Sequence, residues 1–168
     1  MVTTTVITPQ TLELAEQLGQ CLLEKQQTIA TAESCTGGGI GYAITEVAGS
    51  SAWFNGGLIT YTNDLKRQLL NVSQKTLEQD GAVSAECVKQ MALGAQAQCN
   101  TSWAIAVSGV AGPGGGTAEK PVGLVWMALV GPDCEEVWSQ TFTGNRQKVR
   151  SQTIDEVLGK AINQFLLQ

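Results

Sequence analysis

From Val122 to Val130 the chain is almost unbroken apolar side chains, interrupted only at Gly123. The run is too short to cross a bilayer, which takes about 20 apolar residues. A strand with this pattern has no polar face to offer water, so it must be covered on both sides. That demand selects a sheet sandwiched between two layers of helices.

The rest of the chain alternates accordingly. Thr8-Pro9 predicts a helix start, since Thr caps and Pro suits the first helical position. Leu14, Ala15, Leu18, Cys21 and Leu22 then recur at helical spacing until about Gln26. Thr28–Ala32 is β-compatible, a helix is expected over Gly38–Val47, and Gly57–Tyr61 reads as a strand. Asn63–Leu70 is a short helix, Ser73 starts another, and Ser84 caps a longer one with Val88, Met91, Ala92 and Ala95 on one face. Trp103–Ser108 and Cys134–Phe142 read as further strands, the latter peripheral. A last helix runs from about Asn145, with Ile154, Val157, Leu158, Ala161, Ile162 and Phe165 inward. The fold class is α/β: a three-layer α/β/α sandwich with a mixed, mostly parallel sheet. Residues 1–168 show no repeat or linker, so one domain is expected.

There is no histidine in the chain. Ser-His-Asp triads, Cys-His dyads and histidine-ligated metals are therefore excluded, and proton transfer falls to Lys, Tyr, Asp, Glu, a thiol or water. The five cysteines form no CxxC pair, so neither zinc nor a disulfide framework is expected. Met1–Thr8 has no basic or apolar leader, which points to a cytoplasmic chain. A net charge of −5 argues against a duplex nucleic-acid surface but not against a local pocket for one small anion.

Two predicted strands end in glycine-rich loops, Glu33–Gly39 and Gly109–Gly116. Ligands of open α/β sheets bind where such loops meet. Neither loop is a Walker A or a dinucleotide fingerprint. Ser34, at a strand-to-helix turn, is a candidate nucleophile with following amides to hold an oxyanion, or else a plain helix cap. Cys35 is a rival nucleophile, or a small buried residue behind the loop. Lys66 could serve as base if burial lowers its pKa, or it is a solvated helix lysine. Tyr61 could donate a proton, stack on a ring, or close the core edge. Arg146 and Arg150, one turn apart, suit a phosphate or merely decorate a helix. Lys120-Pro121 is a lid or a turn, and Trp53-Phe54 a ring pocket or core.

These segments together resemble the C-terminal-domain family of the CinA proteins. The matching stretches are Thr-Ala-Glu-Ser-Cys-Thr-Gly-Gly (31–38), Ala-Gly-Ser-Ser-Ala-Trp-Phe (48–54) and Thr-Tyr-Thr-Asn-Asp-Leu-Lys (60–66). Gly-Ala-Val-Ser (81–84), Val-Ser-Gly-Val-Ala-Gly-Pro (107–113), Glu-Lys-Pro-Val-Gly (119–123) and Gly-Asn-Arg (144–146) follow in family order. The resemblance implies hydrolysis of nicotinamide mononucleotide to nicotinic acid mononucleotide and ammonia. It makes Ser34 the nucleophile, Lys66 its base and Tyr61 an assisting hydroxyl. It gives substrate contacts to Cys35, Thr36, Gly37, Gly38, Asn63, Ser108, Gly109, Ala111, Gly112 and Arg146. It also implies a small nucleotide as ligand, no cofactor or metal, no membrane partner, and a homodimer.

Two positions depart from the family pattern. Gly114 and Asn145 stand where the family usually carries Asp, and both could loosen substrate contacts. Two further readings are a binding module without catalysis and an amidase or esterase for another substrate. A third, a purely structural protein, leaves the paired glycine loops without a purpose.

Overall fold

In the computed structural model, residues 6–167 are described; Met1–Thr5 of the stretch read for a leader lie outside them. Helix α1 (Pro9–Glu24) begins as its sequence requires. The Thr8 hydroxyl accepts from Thr11 N, and Thr11 Oγ1 accepts from Thr8 N, with Pro9 in the first turn. Its inward stripe is Ala15, Leu18 and Leu22, all fully buried.

The sheet has the order β2-β1-β3-β4-β5, built from β1 (Ile29–Glu33), β2 (Phe54–Ile59), β3 (Trp103–Gly109), β4 (Leu124–Gly131) and β5 (Cys134–Thr141). β1 pairs in parallel with both β2 and β3, while β4 runs antiparallel to β3 and to β5. Only β4 therefore opposes the other strands, which is the mixed, mostly parallel sheet the sequence predicts. β4 and β5 join through the Pro132-Asp133 turn, with Asp133 in the left-handed region (φ 55°).

Strand alternation sorts the side chains into two cores. Trp103, Ile105, Val107, Val125, Met127 and Leu129 point to one face, where α1, α2 (Gly39–Thr45) and α6 (Arg146–Leu166) cover them. Ala104, Ala106, Ala128 and Val130 point to the other, under α5 (Ala85–Cys99). Alanines on this face let α5 lie close, and its Val88, Met91, Ala92 and Ala95 are fully buried. Each large aliphatic side chain so covered contributes about 1.5–3 kcal/mol. The short helices α3 (Asn63–Leu70) and α4 (Gln74–Gln79) pack on α5.

Several boundaries shift by one to three residues from the sequence reading, and two of the shifts have a local cause. β2 starts at Phe54, earlier than Gly57, and includes Gly56 and Gly57. A Cβ on Gly57 would strike the Thr31 hydroxyl of neighbouring β1; close approach requires glycine there. β4 starts at Leu124, because Gly123 (φ 95°) turns the chain and the Phe142 carbonyl occupies the place of its missing Cβ. Trp53 is buried against α1, where a Cβ on Gly19 would lie 2.7 Å from its indole. It is core, as is the partly buried Phe54 packed beside it. Among the described residues, no helix is long and apolar enough to cross a membrane.

Candidate functional site

Because β1, β2 and β3 run in the same direction, their carboxyl ends share one edge of the sheet. The chain leaves β1 for β2 by way of α2 on one face and reaches β3 by way of α5 on the other. The crevice at such a reversal is where α/β sheets bind ligands. Ser34 follows β1, Tyr61 and Asn63 follow β2, and Ser108 and Gly109 end β3.

Ser34 is not a helix cap. Its amide extends the β ladder by donating to Val107 O (3.2 Å), and the cap of α2 falls on Gly38, in the left-handed region at φ 93°. The Ser34 hydroxyl is left free to meet Lys66. Lys66 lies on α3, whose start is fixed by the Thr62 hydroxyl accepting from Leu65 N. Its neighbours Leu65 and Arg67 are exposed, but Lys66 itself is 1% exposed. The Nζ atom donates to Ser34 Oγ at 3.1 Å, to Thr60 O at 2.8 Å and to Tyr61 O at 3.4 Å. It is not a solvated lysine. Removal from water holds its pKa below the usual 10.5, against a weaker opposing pull from the Cys87 and Cys35 thiols.

Cys35 is buried, and burial pushes its thiol up to about 11. A thiol in that state is a poor nucleophile at neutral pH. Tyr61 is 58% exposed, and its hydroxyl accepts from Arg146 Nη2 at 3.0 Å. Arg146 Nη1 donates to Gly112 O at 2.8 Å, which ties the first turn of α6 to the second glycine loop.

Ser34, Cys35, Tyr61, Asn63, Lys66, Ser108, Gly109, Ala111 and Arg146 line one cavity of about 190 Å³, together with Ala82 and Val83. Gly112 does not line it and is joined to it only through the Arg146 bond. Thr36, Gly37 and Gly38 are placed elsewhere. Thr36 is fully buried, and Gly37 and Gly38 line a separate depression of about 640 Å³ with Tyr42, Ile59 and Arg150. Arg150 donates to Thr36 O (2.9 Å) and does not join Arg146 in the smaller cavity. Lys120 donates to Asp80 O, so the end of the second glycine loop is fastened beside the Ala82-Val83 wall.

The two departures from the family pattern have local explanations. Asn145 caps α6, its Oδ1 accepting from Lys148 N at 3.0 Å, a role Asn and Asp perform equally well. Gly114 has open space where a Cβ would stand, so a side chain there would meet solvent. Among the described residues, no group of three or more His, Cys, Asp or Glu is placed to hold a metal ion.

The family model of the CinA C-terminal domain matches residues 11–165. The chain belongs to the CinA C-terminal-domain family. It is 46% identical over 156 residues to a nicotinamide-nucleotide amidohydrolase PncC from Shigella flexneri, covering 92% of this chain and 94% of that one. A protein of the same name from Enterobacter agglomerans is 48% identical over 155 residues, with the same coverage. Among solved structures, a competence-damaged protein (CinA) superfamily protein from Klebsiella pneumoniae 700603 superposes with a TM-score of 0.91. It shares 32% identity over 94% of this chain and 99% of its own.

Glu33 and Thr60 went unnoticed as functional residues in the sequence. Both are buried beside Ser34 and Lys66, and Thr60 O is the nearest acceptor to Lys66 Nζ.

Proposed function

We propose that this protein hydrolyses the carboxamide of nicotinamide mononucleotide to nicotinic acid mononucleotide and ammonia, with Ser34 as nucleophile and Lys66 as base. The observation that carries the chemistry is Lys66 Nζ buried 3.1 Å from Ser34 Oγ. The named activity of the two PncC relatives supports the substrate class.

A neutral lysine amine has two N–H bonds and one lone pair. Thr60 O and Tyr61 O take the two hydrogens, which turns the lone pair to the Ser34 hydroxyl. Lys66 accepts the Ser34 proton as Oγ attacks the carboxamide carbon. The oxyanion is held by the backbone of the loop. The Gly37 amide is spent on Ser34 O, Thr36 is fully buried and Gly38 lines the other depression, so the role falls to the amide of Cys35. The tetrahedral intermediate collapses by breaking the C–N bond, and the leaving nitrogen takes the proton held on Lys66, giving ammonia and a Ser34 ester. Lys66 then deprotonates a water that attacks the ester; the C–O bond to Ser34 breaks, Lys66 returns the proton to Ser34, and the carboxylic acid product gives its own proton to solvent as it leaves as the carboxylate.

Arg146 supplies positive charge at the mouth for the 5′-phosphate, Asn63 and Ser108 offer polar contacts, and Tyr61 stands between Arg146 and the reacting pair. No step uses a metal.

Ammonia release in EDTA from nicotinamide mononucleotide, nicotinamide riboside and free nicotinamide tests the reading. Release confined to the mononucleotide is the expected result. Equal release from all three would mark a general amidase, and release from none would mark a binding module.

A further inference from the structure

The side chain of Glu33 is buried (1% exposed) one residue before the nucleophile, and all its partners are neutral. Oε1 accepts from Thr36 Oγ1 at 2.7 Å and from Ile40 N at 2.8 Å. Oε2 accepts from Gly41 N at 2.9 Å and from Thr31 Oγ1 at 3.3 Å. The two amides belong to the first turn of α2, whose cap residue Gly38 has no side chain to offer. Glu33 therefore provides from the end of β1 the acceptor that the helix lacks. Its negative charge also favours the positive end of the helix. The carboxylate bridges the strand before the Ser34 loop, the turn inside it and the helix after it.

We infer that Glu33 is a positioning residue for the proposed reaction: its carboxylate, with the Thr36 hydroxyl, fixes the loop that aims Ser34 Oγ and the neighbouring amide. This rests on the Ser34 chemistry proposed above. Neither side chain reaches substrate, since both are buried and neither lines the cavity. An isosteric amide at position 33 must turn an NH2 group toward a backbone N–H, that of Ile40 or of Gly41, whichever way it lies, and only the threonine hydroxyl beside it can reverse to accept. The loop then loses one amide of its clamp while keeping its packing.

The test compares Glu33→Gln, Thr36→Val and Thr36→Ser with the unaltered chain. Two quantities are measured, steady-state ammonia release from nicotinamide mononucleotide and the rate at which a fluorophosphonate labels Ser34. Glu33→Gln is expected to lower kcat about 10- to 100-fold, the range for losing a group that orients a reacting one. KM should stay within about threefold and labelling should slow in parallel, because the loss is of aim and not of substrate contact. Thr36→Val should lose activity in the same sense, while Thr36→Ser, which keeps the hydroxyl, stays near the unaltered rate. Should Glu33→Gln fail to fold, the Thr36 pair decides. Unchanged kcat and labelling in a folded Glu33→Gln, or equal losses in Thr36→Val and Thr36→Ser, would overturn the inference. An unaltered chain that labels at Ser34 but releases no ammonia would overturn the substrate reading alone, leaving the labelling comparison to judge Glu33. Absence of both would overturn both.

Discussion

Lys66 Nζ lies 3.1 Å from Ser34 Oγ although 32 positions separate them. A closed circuit of hydrogen bonds holds them together. Thr60 N donates to Glu33 O at 2.9 Å, and Thr60 O accepts from Lys66 Nζ at 2.8 Å. The parallel pairing of β1 with β2, ending at Glu33 opposite Ile59, thus sets the distance between the Ser34 and Lys66 side chains. Slipping that register by one residue would turn Thr60 to the other face and break the pair.

The proposed reaction requires Lys66 without its proton, so kcat/KM for nicotinamide mononucleotide should rise with pH. The midpoint should lie below 10.5, because burial lowers this lysine. Lys66→Arg, permanently charged, should lose at least about 10³-fold at every pH. A flat pH profile would remove Lys66 from the role of base.

The same shift has a sign for stability. Folded Lys66 gives up its proton at a lower pH than the unfolded chain, whose value is 10.5. Between the two values the unfolded state binds more protons, so folding stability rises with pH across that window. Denaturant titrations of the unaltered chain and Lys66→Met should therefore show the unaltered chain gaining on the variant as pH rises. The comparison runs up to pH 10.5, and because both chains carry Cys35 and Cys87 the titration of those thiols largely cancels in the difference. A stability difference independent of pH would contradict the lowered value.

Most of the architecture is legible in the sequence because its signals are local. Thr8-Pro9, Ser84 and the apolar stripe of the last helix each announce an element, and Asn63–Leu70 has the observed bounds of α3. The start of β2 at Phe54 is not legible, because nothing local says that Gly57 lies against Thr31 of the neighbouring strand. Glu33 is silent for a related reason. A carboxylate at a strand end normally faces water, and its donors at Thr36, Ile40 and Gly41 follow from the path of a loop that no periodicity describes. Residue type alone brings Arg146 and Arg150 together as neighbours one turn apart. Their tasks differ because Thr36 O claims Arg150, whereas Arg146 reaches Tyr61 and Gly112.

Arg146 should matter for the phosphate and little for the carboxamide. Arg146→Ala is expected to raise KM for the mononucleotide about 10- to 100-fold, the worth of a charge-assisted hydrogen bond pair. The kcat for the mononucleotide at saturation should change by less than about threefold. A fall in kcat with KM unchanged would move Arg146 from phosphate binding to support of Tyr61.

Two glycines give opposite expectations. A Cβ on Gly94 of α5 would collide with the backbone carbonyl of Leu70, the last residue of the helix that carries Lys66. Gly94→Ala should cost about 1–3 kcal/mol of stability, since backbone cannot yield as a side chain does. Gly114→Asp places a side chain in open space and should change stability by less than about 0.5 kcal/mol. Thermal unfolding of both variants checks the pair.

The most direct measurement is ammonia release from nicotinamide mononucleotide by the unaltered chain, Ser34→Ala and Lys66→Met, with substrate binding followed by calorimetry. The account expects both variants to fold and bind the nucleotide while turnover falls at least about 10³-fold. A folded Ser34→Ala that retains turnover within about tenfold of the unaltered chain would contradict it, because the attacking oxygen would then not belong to Ser34.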